Sequence, residues 1–366
     1  MHGYETEMEL SMATANIQQG MAIYRKPQAS LPEFCVGQWR TGVLESLDEA
    51  ATFCLHPFDT GAPLNWLKTE KRGAGWQDCG DVWTERFATI PTLLMPISTS
   101  KSEFETEVLG IQAAIASHAI EKAVAARVVS TEKPMTAVSI WQAFCDLHEA
   151  YPTAFVFLVI HPVWGCWMGA TPETLLQVNE DQAMVMSLAG TLTKEQGGWT
   201  SKEALEQSVT SRFIRDVLQQ EGIADAEETA VGELRMGDVR HLMSEWRFNL
   251  PQGSGRMASD DRSYRSQDVC SLLTRLHPTP AVGGYPQQAA LDWLVAHEGL
   301  ERLLYTGYLG VIGDQSSHVF VTLRCVQLFS RGYALYAGCG VNAGSDPAVE
   351  WLETAAKMDL LGRYLR

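Results

Sequence analysis

The residues best spaced for chemistry lie near the C-terminal end, in Tyr336 to Lys357, YAGCGVNAGSDPAVEWLETAAK. This stretch opens with Gly338-Cys339-Gly340, where backbone can approach a ligand closely. It turns at Gly344-Ser345-Asp346-Pro347, with Ser345 or Asp346 placed to cap a helix and Pro347 suited to its first position. Glu350, Glu353 and Lys357 then recur at i, i+3 and i+7, which puts them on one helix face. A second segment, Lys202 to Gln219, carries Glu203 and Glu206, again three apart. Brought together, two Glu-x-x-Glu faces supply the hard carboxylate oxygens that Mg2+ takes, with room left for water and an anionic ligand. Either pair alone is also what a solvated helix face displays, so the reading requires a fold that makes the two faces meet.

Composition limits the alternatives. A chain of 366 residues can bury a large core, with 46% hydrophobic and 20% charged residues as in soluble globular proteins. The formal net charge of −16 argues against nucleic acid, whose phosphates must be met by Lys and Arg. An anionic small molecule needs only a local cluster of cations or a metal. The eight cysteines (35, 54, 79, 145, 166, 270, 325, 339) show no C-x-x-C spacing and no zinc-like grouping with His. They read as reduced thiols of a cytoplasmic protein. The first 30 residues hold no apolar signal-peptide core, and no apolar run reaches 18 residues, so neither export nor a membrane span is expected.

The elements that must position these residues follow from periodicity. Residues 1–20 are helix-compatible. From Met21 to Ser100, short apolar runs broken by Pro, Gly and Asp predict antiparallel strands that serve as scaffold. Glu103 to Glu121 predicts an amphipathic helix on Phe104, Val108, Ile111, Ile115 and Ile120. In Lys122–Ser130 (KAVAARVVS) a strand would place Lys122, Val124 and Ala126 on one face and Ala123, Ala125 and Arg127 on the other. Residues 138–150 read as a helix, 153–160 and 166–178 as a hairpin, and 183–191 as a strand ending in a small-residue turn. In Lys202–Gln220, Leu205, Val209, Phe213 and Val217 form an apolar stripe. The stretch 253–265 is the most loop-like. A helix near 287–297 precedes three apolar β-like runs, of which HVFVTLRCVQLF places Arg324 within a strand. Helices and strands intermix without a βαβ rhythm. The expected class is therefore α+β, one large domain of two mostly antiparallel sheets flanked by helices, with 1–100 as scaffold and 101–366 as the catalytic region.

Five of these segments together resemble the chorismate-utilising enzymes: SLAGT (187–191), LHPTPAVGGYP (276–286), EGLERLLYTG (298–307), FVTLRC (320–325) and the 336–357 stretch. That family includes isochorismate, salicylate, anthranilate and aminodeoxychorismate synthases. The resemblance covers roughly residues 110 to 366. It implies an active site between two large sheets, where chorismate, a dicarboxylate, binds with one Mg2+. Glu206 and Glu353 match the direct metal ligands, with Glu203 and Glu350 behind them or acting through water. Arg324 and Lys357 match residues that hold the substrate carboxylates. Gly338 and Gly340 would add backbone N–H groups, and Gly190-Thr191 a further polar edge. Tyr305 matches a pocket-lining tyrosine, and His241, in RHLMSE, would hydrogen-bond the departing C4 hydroxyl.

The resemblance also bears on the reaction. Lys122 matches the lysine that activates water to attack C2 in isochorismate and salicylate synthases. It needs a lowered pKa to act as a base. Anthranilate synthases lack a lysine here, and aminodeoxychorismate synthases carry a nucleophilic lysine where this chain has Ala189. Glu173, in GATPE, matches the acid that protonates the leaving hydroxyl. It must start protonated, and Trp164, Trp167 and Met168 are its expected apolar neighbours. The chain departs from the pattern at Ala123, Ala125 and Gln207, and in a short stretch between Thr191 and Lys202. The implied enzyme is an isomerase, an isochorismate synthase of menaquinone or siderophore synthesis, acting as a monomer or weak dimer without an obligate protein partner. A salicylate synthase is the near alternative. An ammonia-using component and a chorismate-binding regulator without turnover are the more distant ones.

Overall fold

The computed structural model describes residues 19–44, 51–193, 198–250, 263–313 and 315–365. Its runs of β-branched and aromatic residues form seventeen strands, and the longer periodic segments form helices. In chain order the first half holds β1 (Gln19–Arg25), β2 (Glu33–Thr41), β3 (Thr52–His56), β4 (Asn65–Ala74), α1 (Trp76–Arg86), α2 (Lys101–Ala116), β5 (Lys122–Thr131), α3 (Ala137–Ala150), β6 (Phe155–His161), β7 (Gly165–Thr171), β8 (Thr174–Asn179) and β9 (Gln182–Thr193). The second half holds α4 (Ser201–Gln220), β10 (Glu227–Glu228), β11 (Gly232–Met236), β12 (Val239–Asn249), α5 (Ser263–Leu276), β13 (Gly284–Tyr285), α6 (Gln287–His297), β14 (Tyr308–Ile312), β15 (Ser316–Val321), β16 (Cys325–Phe329), β17 (Gly332–Val341) and α7 (Pro347–Gly362).

The expected α+β class with antiparallel strands is what the structure has. All the pairings are antiparallel, and they join the strands into one continuous ladder. At one edge β10 and β11 pair β12, β12 pairs β9, and β9 pairs β8. The ladder continues through β15, β14, β3 and β4 to β2 and β1. It then passes through β6, β7, β16 and β17 to β5, and ends on β13. The two expected sheets are thus hydrogen-bonded to each other. The joins, such as β3 to β14, link runs far apart in sequence and leave no local signal. The ladder curls so that its far arms meet. Residues of β5 and β17 line the same cavity as residues of β9 and β12.

Several expectations are corrected. The helix α1 falls inside the region expected to be strands only. Its Cys79, Val82 and Trp83 are buried at i, i+3 and i+4 spacing, which Gly80 and Asp81 mask in the sequence. The helix α2 ends at Ala116, before Ile120, where His118 adopts a positive φ of 59°. The turn expected at 189–191 is a β-bulge within β9. His241 pairs Thr191 while Leu242 pairs Ala189, leaving Gly190 as the extra residue at φ 73°. Residues 1–18 and 253–262 lie outside the described residues. The last three residues of the expected 253–265 loop belong to α5.

Candidate active site

The two helices that carry the glutamates are built against the usual amphipathic rule. On α4, Val209, Phe213 and Val217 pack inward as expected. Leu205, assigned to the same stripe, is 53% exposed, and Glu206 takes the inward position at 6%. On α7, Leu352 is 65% exposed while Glu353 is 6% and Glu350 0% exposed. Exposed leucines are common, but buried carboxylates are rare unless something meets their charge. The caps fix both helices in place. Asp346 accepts hydrogen bonds from Ala348 N and Val349 N, with Pro347 at the first position. Thr200 and Glu203 form a reciprocal capping box.

That box corrects the assignment of Glu203. Its Oε2 accepts from Thr200 N at 2.8 Å and from Thr200 Oγ1 at 2.6 Å, so the carboxylate is spent on the start of its own helix. Glu206 and Glu353 do line the cavity. Each is met by lysine. Lys122 Nζ stands 3.8 Å from Glu206 Oε2, and Lys357 Nζ 2.6 Å from Glu353 Oε1 and 2.8 Å from Gly338 O. Glu350 sits behind them, with Oε1 2.5 Å from Lys202 Nζ and a buried Oε2 that has no partner. Burial raises Glu206 to about 7, against the pull of Lys122 and Lys202. For Glu353 burial works upward, but Lys357 and Lys202 outweigh it and hold the carboxyl below its ordinary range. Among the described residues no three His, Cys, Asp or Glu side chains form a closed metal cage. The oxygens able to hold a divalent cation are those of Glu206 and Glu353, with Glu350 Oε2 in reserve.

Gly340 makes this approach possible. A Cβ there would lie 2.6 Å from Glu206 Oε2 and 2.9 Å from Lys122 Cε, so any side chain would displace both groups. Lys122, the first residue of β5, is 3% exposed. Burial lowers its pKa, Glu206 opposes that, and the charges of Lys202 and Lys357 add to it. Glu173 lies in the short link between β7 and β8, 2% exposed, with a buried Oε1 that lacks a partner. Burial raises it to about 8 even against Lys122, Arg324 and Lys357. Lys122 and Glu173 line one cavity. The apolar wall there comes from Leu188, Leu323 and Tyr305. The tryptophans expected beside Glu173 are elsewhere: Trp167 packs on Tyr336 in the core.

Arg324 is not in a strand. It falls in the turn between β15 and β16 with φ 46°, which turns its guanidinium into the cavity. Its Nη2 lies 2.9 Å from His241 Nε2, and its Nε is buried without a partner. Arginine only donates, so Nε2 must accept and the proton sits on Nδ1. Nδ1–H then meets Gly190 O at 3.1 Å and Thr191 Oγ1 at 3.2 Å. Burial, then Arg324 and Lys357, push His241 well below its ordinary pKa, so the ring is neutral. This changes the role expected for His241. Both ring nitrogens are engaged, one of them in orienting Arg324, and the Thr191 hydroxyl proton is the group left to face the cavity. Tyr305 is buried at 3% and lines the wall, as do Gly338 and Gly340.

Sequence reasoning missed two groups. Lys202 reaches the Glu350 carboxylate from the first turn of α4. Arg302, 3% exposed, pairs Glu298 at 2.7 Å through Nη2, which also donates to Val124 O at 2.6 Å, while Nη1 donates to Val282 O at 2.8 Å. Val124 and Val282 both line the cavity, so this ion pair ties two of its walls together. The four-residue spacing of Glu298 and Arg302 within EGLERLLYTG was the available signal.

The "Chorismate binding enzyme" family model matches residues 84–366. The "Salicylate biosynthesis isochorismate synthase" of Pseudomonas aeruginosa is 31% identical over 248 residues, 64% of this chain and 48% of that protein. "Isochorismate synthase EntC" of Escherichia coli K12 is 27% identical over 213 residues, 57% of this chain and 54% of that protein. The chain therefore matches about half the length of these curated relatives. Among solved structures, the menaquinone-specific isochorismate synthase MenF of E. coli superposes with a TM-score of 0.73 at 20% identity, covering 97% of this chain and 90% of that one. DhbC of Bacillus anthracis gives 0.75 at 19% identity, covering 94% and 95%. These superpositions carry the α+β fold, and the family match over residues 84–366 places the chain among the chorismate-binding enzymes.

Proposed function

We propose that the chain is an isochorismate synthase, an isomerase that converts chorismate to isochorismate with Mg2+. The observation that carries the reading is a buried lysine and a buried carboxyl facing one cavity, each biased by burial towards its uncharged form. A neutral Lys122 takes a proton from a water molecule as its oxygen attacks ring carbon C2. The ring double bonds shift, the C4–oxygen bond breaks, and the proton of Glu173 leaves with that oxygen as water. Arg324, oriented by His241, and Lys357 face the substrate carboxylates. Ala189 offers no amine nucleophile, which favours water. The names of several relatives agree, among them isochorismate synthases of E. coli and Bacillus subtilis.

The carboxylate donors fit a hard divalent cation. Glu206 and Glu353 would hold Mg2+, supported by Glu350, whose Oε2 is buried and unpartnered. When bound, the ion supplies positive charge for a substrate carboxylate that these glutamates would otherwise repel. The eight cysteines are all free, which supports a reducing, cytoplasmic setting. Among the described residues no helix is long and apolar enough to cross a membrane. The product would feed menaquinone or siderophore synthesis, and no protein partner is required for turnover.

The test is a product assay on chorismate with Mg2+, for wild type and Lys122→Ala. Isochorismate from wild type and a loss of about 10²–10⁴-fold in the variant are expected. Equal rates would remove Lys122 from the reaction. The second reading is a salicylate synthase, which goes on to eliminate pyruvate; the Pseudomonas relative is itself named an isochorismate synthase, of salicylate biosynthesis. Salicylate fluorescence accumulating from purified protein alone would select it, and product formation that requires ammonium would select an amine-using enzyme instead.

A further inference from the structure

Lys202 occupies the second position of α4, where the helix already presents partial positive charge, so its ammonium gains nothing from its own helix. It reaches across to the other helix instead. Its Nζ lies 2.5 Å from Glu350 Oε1 on α7 and 3.8 Å from Glu206 Oε1. One flexible side chain therefore bridges α4 and α7 through Glu206, one of the two metal-holding carboxylates argued above, and Glu350 behind it. Glu203, next in sequence, is committed to Thr200 and does not compete for it. Two other lysines face the same carboxylates, but Lys122 is 3% exposed and Lys357, 11% exposed, is held by Gly338 O. Lys202 is 20% exposed and starts from the first turn of its helix, so of the three it has the open route to solvent.

Charge counting gives this arrangement a purpose. Glu206, Glu350 and Glu353 offer three carboxylates, and Lys202 and Lys357 supply two ammonium groups beside the neutral Lys122. A dication added to that set would leave one uncompensated positive charge in a buried place, which is costly, and the outward swing of one ammonium removes it. We propose that Lys202 is an exchangeable internal counter-ion: its ammonium holds Glu206 and Glu350 together in the metal-free protein and swings outward when a divalent cation takes its place. The proposal deepens the reading of Glu206 and Glu353 as metal ligands and rests on it. Metal binding then becomes the exchange of one cation for another, and its apparent affinity is set by how firmly the lysine holds on.

The test is calorimetric titration with MgCl2 alone, without chorismate, on wild type, Lys202→Met and Lys202→Arg. Thermal unfolding in EDTA and in saturating Mg2+ accompanies it. With the competitor removed, Lys202→Met should bind Mg2+ about tenfold tighter or more, unfold at a lower temperature than wild type in EDTA, and gain more from Mg2+. Lys202→Arg keeps the cation and should not tighten. If Lys202→Met does not fold, Lys202→Gln retains a hydrogen bond to Glu350 and carries the same expectation. Mg2+ bound equally or more weakly by the neutral variants would overturn the exchange, since the lysine would then be a support of the loaded site. Mg2+ bound by no form of the protein would overturn the metal assignment itself, and the exchange with it.

Discussion

Replacing Glu173 with Gln should make the protein less active and more stable, and the second effect should depend on pH. The carboxyl is fully enclosed, and burial raises it from 4.5 to about 8. In the unfolded chain the same group ionises near 4.5. Between those two values the unfolded state releases a proton that the folded state keeps, so stability falls as pH rises through that window. Full stability is present below about pH 4.5, and the loss is complete above about pH 8. From pH 5 to pH 8, at about 1.4 kcal/mol per pH unit, the cost reaches an upper bound of about 4 kcal/mol. The nearby Lys122, Arg324 and Lys357 are already counted in that value, and relaxation around the ionised group brings the expected cost to about 1–3 kcal/mol. Glutamine has the same shape and does not ionise. Its own cost in the apolar pocket is the same at every pH and cancels when two pH values are compared. The assay is urea unfolding of wild type and Glu173→Gln in EDTA at pH 5 and pH 8. The variant should gain about 1–3 kcal/mol on wild type between the two, while turnover on chorismate falls about 10²–10⁴-fold because its amide has no proton to give. A stability difference that does not move with pH would refute the raised carboxyl, and near-normal turnover would refute its role as the acid.

The remaining expectations are narrower. In wild type, the rate should fall above about pH 8 as Glu173 loses its proton, and that limb should be absent from the residual activity of Glu173→Gln. Gly340→Ala places a methyl 2.6 Å from Glu206 Oε2, so both Mg2+ affinity by calorimetry and turnover should drop, with a stability cost of about 1–3 kcal/mol. Arg302→Met leaves Glu298 buried and unpaired and frees the carbonyls of Val124 and Val282. Unfolding should show a loss of about 3–5 kcal/mol, partly recovered in the double variant with Glu298→Gln. Thr200→Ala removes the capping hydroxyl but keeps the backbone N–H that Glu203 accepts from, and should cost about 0.5–2 kcal/mol by the same unfolding assay, with Mg2+ affinity little changed if Glu203 is only a cap.

What the sequence made legible was local. The caps of α7, the three-residue spacing of its glutamates and the alternation around Lys122 each follow from a few neighbouring residues, and each is reproduced by the fold, with Lys122 and Val124 on the cavity and Ala123 and Ala125 in a separate core cluster. What it hid was the choice of partner. Glu203 and Glu206 look equivalent on a helix, yet one folds back onto Thr200 and the other turns into the cavity. The difference is position within the first turn, where free backbone N–H groups attract the nearer carboxylate. Leu205 reads as core by spacing, but the inward place belongs to Glu206 because the opposing surface offers Lys122, with Lys202 one turn back on the same helix. Arg324 reads as a strand residue because six apolar or small neighbours surround it, and only the meeting of β15 with β8 and of β16 with β7 forces a turn there. In each case the local pattern yields to groups brought from distant parts of the chain or from a neighbouring turn, and these places coincide with the candidate site.

The most direct measurement follows the oxygen. Purified protein is incubated with chorismate and Mg2+ in water enriched in oxygen-18, and the product is analysed by mass spectrometry at early times. Attack by water activated at Lys122 predicts isochorismate carrying one heavy oxygen at C2. Unlabelled isochorismate, or an aminated product formed only when ammonium is added, would contradict a lysine that draws its nucleophile from solvent.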